Sequence, residues 1–81
     1  MATTVTVYTK DVCKQCDMTK QALERAGIEY ELADIQESGN LAAAKSLGYM
    51  SAPVVVADPD HWSGFRPDLI AELAARIEQE N

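Results

Sequence analysis

The two cysteines of this 81-residue chain lie three positions apart, in Val12-Cys13-Lys14-Gln15-Cys16. Thiols at that spacing can close reversibly into a disulfide and carry two electrons between proteins. They can also supply half of a metal site, or be unrelated core residues, since free cysteine packs like a small hydrophobe. As a structural staple the pair would be poor, because so short a loop removes little chain entropy. A metal site needs three or four ligands, and the other good candidate, His61, is far away in sequence. What separates these readings is where the pair sits in the fold.

The elements around it alternate between strand and helix. Thr4-Val5-Thr6-Val7-Tyr8 is β-branched and aromatic and reads as a strand. From Cys13 to Ala26, Met18, Ala22, Leu23 and Ala26 fall on one helical face, and Gly27 suits the position just past a helix end. Residues 28–34 alternate, with Ile28, Tyr30 and Leu32 against Glu29 and Glu31, as a half-buried strand does. Ser38 or Asn40 is a candidate cap for a short helix through Leu41, Ala44 and Leu47, stopped by Gly48. Pro53 to Ala57 is an apolar run typical of a strand buried on both faces. Asp58-Pro59-Asp60 is a turn, and His61-Trp62-Ser63 can return as an edge strand. Pro67 suits a first helical position, and Leu69, Ile70, Leu73, Ala74 and Ile77 line one face of a last helix.

The order is therefore β-α-β-α-β-β-α: one α/β domain, residues 1–81, with a four-stranded mixed sheet and helices on both faces. The first two strands are joined through a helix and should be parallel, with a right-handed crossover. The last two should form a hairpin. In this scheme the cysteines fall between the first strand and the first helix. Cys13 sits at the helix N-terminus, where partial positive charge and free N–H groups favour a thiolate, and Cys16 lies one turn further in. Lys10 and Lys14 add positive charge nearby, partly cancelled by Asp11 and Asp17. A thiolate at Cys13 can attack a partner's disulfide; Cys16 then attacks Cys13 and releases the reduced partner. No cofactor is required. A C-x-x-C in such a context reads as thioredoxin-like.

Composition narrows the partners. Thirteen acidic against seven basic residues give a net charge of −6, which argues against a nucleic-acid partner. No apolar run approaches the ~20 residues needed to cross a bilayer. The first ten residues lack the basic and apolar regions of a signal peptide, and two close cysteines are fewer than small secreted domains carry. A cytoplasmic monomer is expected.

Taken together, "VTVYTK" followed by C-x-x-C, "APVVV" about forty residues on, and "HWSGFRPD" resemble the NrdH-type redoxins. These are glutaredoxin-like members of the thioredoxin superfamily that donate electrons to class Ib ribonucleotide reductase. The resemblance spans essentially the whole chain, and Trp62 to Pro67 is its most specific part. It implies that Cys13 and Cys16 are the redox pair and that Pro53 is preceded by a cis bond and faces them. It also implies that the backbone at Ala52 pairs with a substrate peptide as an added strand. Trp62, Ser63, Phe65 and Arg66 match the segment tying the hairpin to the last helix, with structural roles and a share in partner contact. Glutathione-using glutaredoxins usually carry Pro-Tyr between the cysteines and a later Gly-Gly followed by acidic residues. Here those places hold Lys14-Gln15 and Trp62-Ser63-Gly64-Phe65, although Lys10, which meets a glutathione carboxylate in glutaredoxins, is retained. The implied partners are thioredoxin reductase as electron source and the large subunit of class Ib ribonucleotide reductase as acceptor. The alternatives are a glutathione-dependent glutaredoxin and a metal-binding interaction module. Asp58-Pro59-Asp60 stands where a hairpin would ordinarily carry an Asp-Gly type of turn.

Overall fold

The computed structural model describes residues 3–80. Its elements run β1 (Thr6–Thr9), α1 (Lys14–Arg25), β2 (Glu31–Asp34), α2 (Ser38–Ser46), β3 (Val54–Ala57), β4 (Asp60–Ser63) and α3 (Pro67–Glu80). The expected order and the mixed sheet are both present. The strands lie in the order β2-β1-β3-β4, with β1 parallel to β2 and β3 antiparallel to both β1 and β4.

Two apolar layers hold the sheet. Val5, Val7, Val55, Ala57 and Trp62 meet Leu23 and Ile28 from the α1 side and Ile70 and Leu73 from α3. Tyr8, Val54 and Val56 meet Ala44, with Leu41 and Tyr49 beside them. Alternation explains the division: successive strand side chains point to opposite faces, so Val55 and Ala57 enter one layer while Val54 and Val56 enter the other. Each fully buried Val or Leu contributes about 1.5–3 kcal/mol of apolar transfer energy.

The end of α1 is fixed by its own backbone. Gly27 lies at φ +73°, a left-handed conformation that costs other residues about 1–2 kcal/mol. It lets Ile28 N–H reach the Leu23 carbonyl at 2.9 Å and Gly27 N–H the Glu24 carbonyl at 3.1 Å, the paired bonds of a Schellman motif. Ile28 and Leu23 then pack together, so the turn that stops the helix also delivers the chain to the core. The end of α2 repeats the pattern, with Tyr49 N–H bonded to the Ala44 carbonyl at 3.0 Å.

Some local expectations are corrected. Neither Ser38 nor Asn40 caps α2. The N-cap residue is Glu37, which makes no capping bond, and Asn40 instead donates its amide to the Asp34 carbonyl at 2.9 Å. Met18 is 40% exposed, and the buried stripe of α1 is Cys16, Thr19 and Leu23. Leu32 is 55% exposed because β2 is the sheet's edge. The expected turn at Asp58-Pro59-Asp60 is present, and it closes the β3–β4 hairpin through a cis Asp58–Pro59 bond, a type VI turn in place of a glycine turn.

Leu23 is wholly buried between α1 and the sheet. Leu23→Ala is expected to lower unfolding free energy by about 2–5 kcal/mol in urea titration, with function lost only through stability. At the far end of α1, the Tyr30 hydroxyl donates to a Glu24 carboxylate oxygen. That hydrogen bond, with partial burial and the carboxylate's charge behind it, pushes the Tyr30 phenol up to about 12. The neutral phenol is thus favoured by folding. Its contribution is complete below pH ~10, where an unfolded tyrosine titrates, and is lost as pH rises through the folded value. Absorbance titration near 295 nm should show Tyr30 ionising late, and Glu24→Gln should bring it back toward an ordinary tyrosine.

Candidate functional site

Tyr8 pairs with Val54, and Val54 with Ser63. The chain leaves the sheet just beyond each of these residues: from β1 toward the cysteines, from β4 into Gly64, and, running backwards, from β3 into Pro53. One row of pairing therefore gathers the dithiol loop, the proline and the start of the "GFRP" segment at one end of the sheet.

Cys13 is the N-cap residue of α1, in an extended backbone conformation (φ −130°, ψ 102°). Its sulfur accepts a hydrogen bond from the Cys16 N–H at 3.1 Å, the place a Ser or Asp oxygen takes in an ordinary cap. The Cys13 carbonyl accepts from Asp17 N–H at 3.1 Å, the first helical bond. The cysteines are joined as a disulfide with their Cα atoms 5.2 Å apart. Their surroundings differ. Cys13 is half-buried at the surface, whereas Cys16 is 1% exposed. A partner's sulfur can reach the first and not the second. The Cys16 N–H and the positive end of α1 face the Cys13 sulfur, so a negative charge on it is favoured.

Val12, just before the dithiol, has φ +52° and a fully exposed side chain. For a β-branched residue this is a strained conformation, costing on the order of 1–3 kcal/mol. Nothing in its residue type announces it, and sequence reasoning passed it over.

The other candidate residues divide by place. Lys10, Lys14 and Gln15 are exposed around the dithiol. Asp17, read as offsetting the lysines, pairs with Lys20 at 3.3 Å. The bond between Ala52 and Pro53 is cis, as the resemblance implied, with Pro53 buried and Ala52 half-buried. Ser63 and its neighbour lock this loop to β4: Gly64 N–H donates to the Pro53 carbonyl at 2.9 Å, and the Ser63 hydroxyl to the Ser51 carbonyl at 3.3 Å. Gly64 has φ +84°, and the Gln15 amide oxygen lies 3.7 Å from where a Cβ there would stand. The Gln15 side chain, between the cysteines, therefore lies over β4's continuation.

Trp62 is buried in the larger apolar layer, with Phe65 packed against it. Arg66 is exposed and makes a forked pair with Asp68, Nε to Oδ1 at 3.2 Å and Nη2 to Oδ2 at 3.0 Å. The pairing raises the guanidinium's pKa, chiefly through those hydrogen bonds, and lowers the Asp68 carboxyl. His61 lies one residue before Trp62 on β4, its Nδ1 2.8 Å from the Tyr49 hydroxyl. Among the described residues no three His, Cys, Asp or Glu side chains cluster as metal ligands would.

This geometry suits thiol–disulfide exchange at a protein surface, and comparison with known proteins agrees. The glutaredoxin family model matches residues 5–62. The glutaredoxin-like protein NrdH of Escherichia coli K12 is 40% identical over 70 residues, 85% of this chain and 86% of that protein. Its counterpart in Lactococcus lactis IL1403 is 38% identical over 71 residues, 86% of this chain and 99% of the other. The solved structure of NrdH-redoxin from Escherichia coli superimposes with a TM-score of 0.78 at 39% identity, covering 86% of this chain and 93% of that one. With its paired cysteines at the head of α1 and relatives of this kind along most of its length, the chain belongs to the glutaredoxin family, as a thiol–disulfide redoxin of the NrdH-like group.

Proposed function

We propose that this chain is a cytoplasmic, monomeric electron carrier that takes two electrons from an NADPH-dependent thioredoxin reductase. It passes them to a disulfide in the large subunit of class Ib ribonucleotide reductase. The observation that carries the choice of electron source is what surrounds the dithiol. A glutathione-using site presents Pro-Tyr between the cysteines and Gly-Gly with acidic residues beyond the hairpin. Here the Gln15 side chain lies over Gly64, and the segment after Trp62 is committed to holding the Pro53 loop and the core. The groups that would grip the γ-glutamyl end of glutathione are missing, although Lys10 remains. The Escherichia coli relative, described as having a thioredoxin-like activity profile, supports the same choice.

The roles follow from exposure. Cys13, at the surface and facing the helix N-terminus, is the nucleophile. Its thiolate attacks a partner disulfide, one partner sulfur leaves, and a mixed disulfide remains. Cys16 then attacks the Cys13 sulfur, the second partner sulfur leaves as a thiolate that takes up a proton, and the intramolecular disulfide closes. Lys10 and Lys14 favour the approach of an acidic partner surface. The Ala52 backbone offers an edge for a partner segment, and Ser63, Phe65 and Arg66 flank it, with Trp62 supporting them from the core.

An NADPH-oxidation assay is expected to show turnover with thioredoxin reductase and little with glutathione plus glutathione reductase; the reverse result would move this chain to the glutathione-dependent glutaredoxins. Cys16→Ser should accumulate a mixed disulfide with the acceptor on non-reducing gels, and Cys13→Ser should not. If only Cys13→Ser trapped the acceptor, the two roles would be exchanged.

A further inference from the structure

Among the described residues, three buried side-chain polar atoms have no hydrogen-bond partner, Thr19 Oγ1, Trp62 Nε1 and Arg76 Nε, and only Thr19 of these stands on the dithiol helix. Thr19 is 0% exposed, and its hydroxyl has no hydrogen-bond partner while the dithiol is oxidised. Leaving a buried hydroxyl unpaired is unfavourable, and such groups are rare in folded proteins. Its position is particular: Thr19 is one turn after Cys16 in the buried stripe Cys16, Thr19, Leu23. Side chains three apart on a helix are neighbours, and each leans toward the turn N-terminal to its own Cα. The Thr19 side chain thus lies beside Cys16 on the buried face of α1. In the disulfide the Cys16 sulfur is bonded to Cys13 and is only a weak acceptor.

We infer that Thr19 is a positioning residue for the resolving step: when the disulfide opens, its hydroxyl donates a hydrogen bond to the freed Cys16 sulfur. Cys16 is 1% exposed, and burial opposes a thiolate. A donor that engages only the reduced form offsets this opposition and holds the sulfur ready. Cys16 loses its proton to solvent, attacks Cys13 in the mixed disulfide, and the bond from Cys13 to the partner breaks, leaving a partner thiolate that is then protonated. Two electrons pass to the partner, and Thr19 returns to its unpaired state as the Cys13–Cys16 bond forms. The inference rests on the dithiol reading above, and its test involves neither reductase, so each can fail alone.

The test compares Thr19→Val, which keeps the shape and removes the hydroxyl, with Thr19→Ser, which restores it. In a Cys13→Ser background, thiolate absorbance at 240 nm reads the Cys16 pKa. The charges around the turn, Lys10, Asp11, Lys14, Asp17 and Lys20, are common to all variants, while β1 and the Ala52–Pro53 loop bring none. Thr19→Val should raise the Cys16 pKa by about one to two units, the strength of a hydrogen bond to a charged acceptor, and Thr19→Ser should return most of it. In the two-cysteine protein, release from a mixed disulfide with a small aromatic thiol should slow about threefold per unit, a tenfold smaller thiolate fraction being partly offset by greater nucleophilicity. An unchanged Cys16 pKa in Thr19→Val, or a shift that Thr19→Ser does not reverse, overturns the inference. Should Thr19→Val not fold, NMR of the unaltered reduced protein decides. A Thr19 hydroxyl proton slow to exchange and close to the Cys16 β-protons supports it, and a fast-exchanging one refutes it.

Discussion

The site depends on a strand register. Tyr8 opposite Val54, and Val54 opposite Ser63, set where three chain segments leave the sheet. A slip of one residue would turn every side chain of a strand to the other face. Val54 would then leave the α2 layer, Val55 and Trp62 would leave the other, and Pro53 would no longer lie beside the dithiol loop. The same apolar alternation that builds the two layers therefore fixes the site. Here stability and function are not separate demands on β3: its buried valines are what hold the cis-proline loop in place.

Upon that frame, chemistry is added by a change of cap. Helix N-termini need an acceptor for their free N–H groups, and an oxygen is the usual one. At α1 the acceptor is the sulfur of Cys13. The interaction that closes the helix is thus the same one that favours the thiolate. Because Cys16 lies one turn further in and faces the core, the two sulfurs meet while differing in access. The difference in access between the two sulfurs comes from the helix's direction and from which side of it is buried.

Much of this was legible in the sequence because it is local. Cysteine spacing, the stop at Gly27, the start at Pro67 and the run Val54 to Ala57 each follow from a few neighbouring residues. What was not legible depends on distant ones. Apolar count favours Met18 over Thr19 for the buried face of α1, yet the stripe begins at Cys16, whose sulfur must meet Cys13. That requirement rotates the helix so that Thr19 goes in and Met18 stays out. Leu32 stands in the same row as Val7, Val55 and Trp62, but β2 ends the sheet and leaves it exposed. Asn40 looks like a cap, but the carbonyl left by Asp34 takes its amide. The strained backbone of Val12 has no signal in its residue type.

The segment Trp62 to Arg66 shows why a short motif can be more specific than the catalytic pair itself. A C-x-x-C needs only a helix start, which many folds provide. Each residue of the longer motif meets a different constraint. Trp62 fills the core, Ser63 and Gly64 bond to the two carbonyls flanking Ala52, Phe65 caps the apolar layer, and Arg66 pairs with the first turn of α3. Gly64 must also reach φ +84° beside Gln15. A substitution at any one would have to satisfy geometry set by the others. The motif is therefore a record of how the proline loop, the dithiol turn and α3 are fastened to one another, while Val12, Lys14, Gln15 and Met50 are exposed.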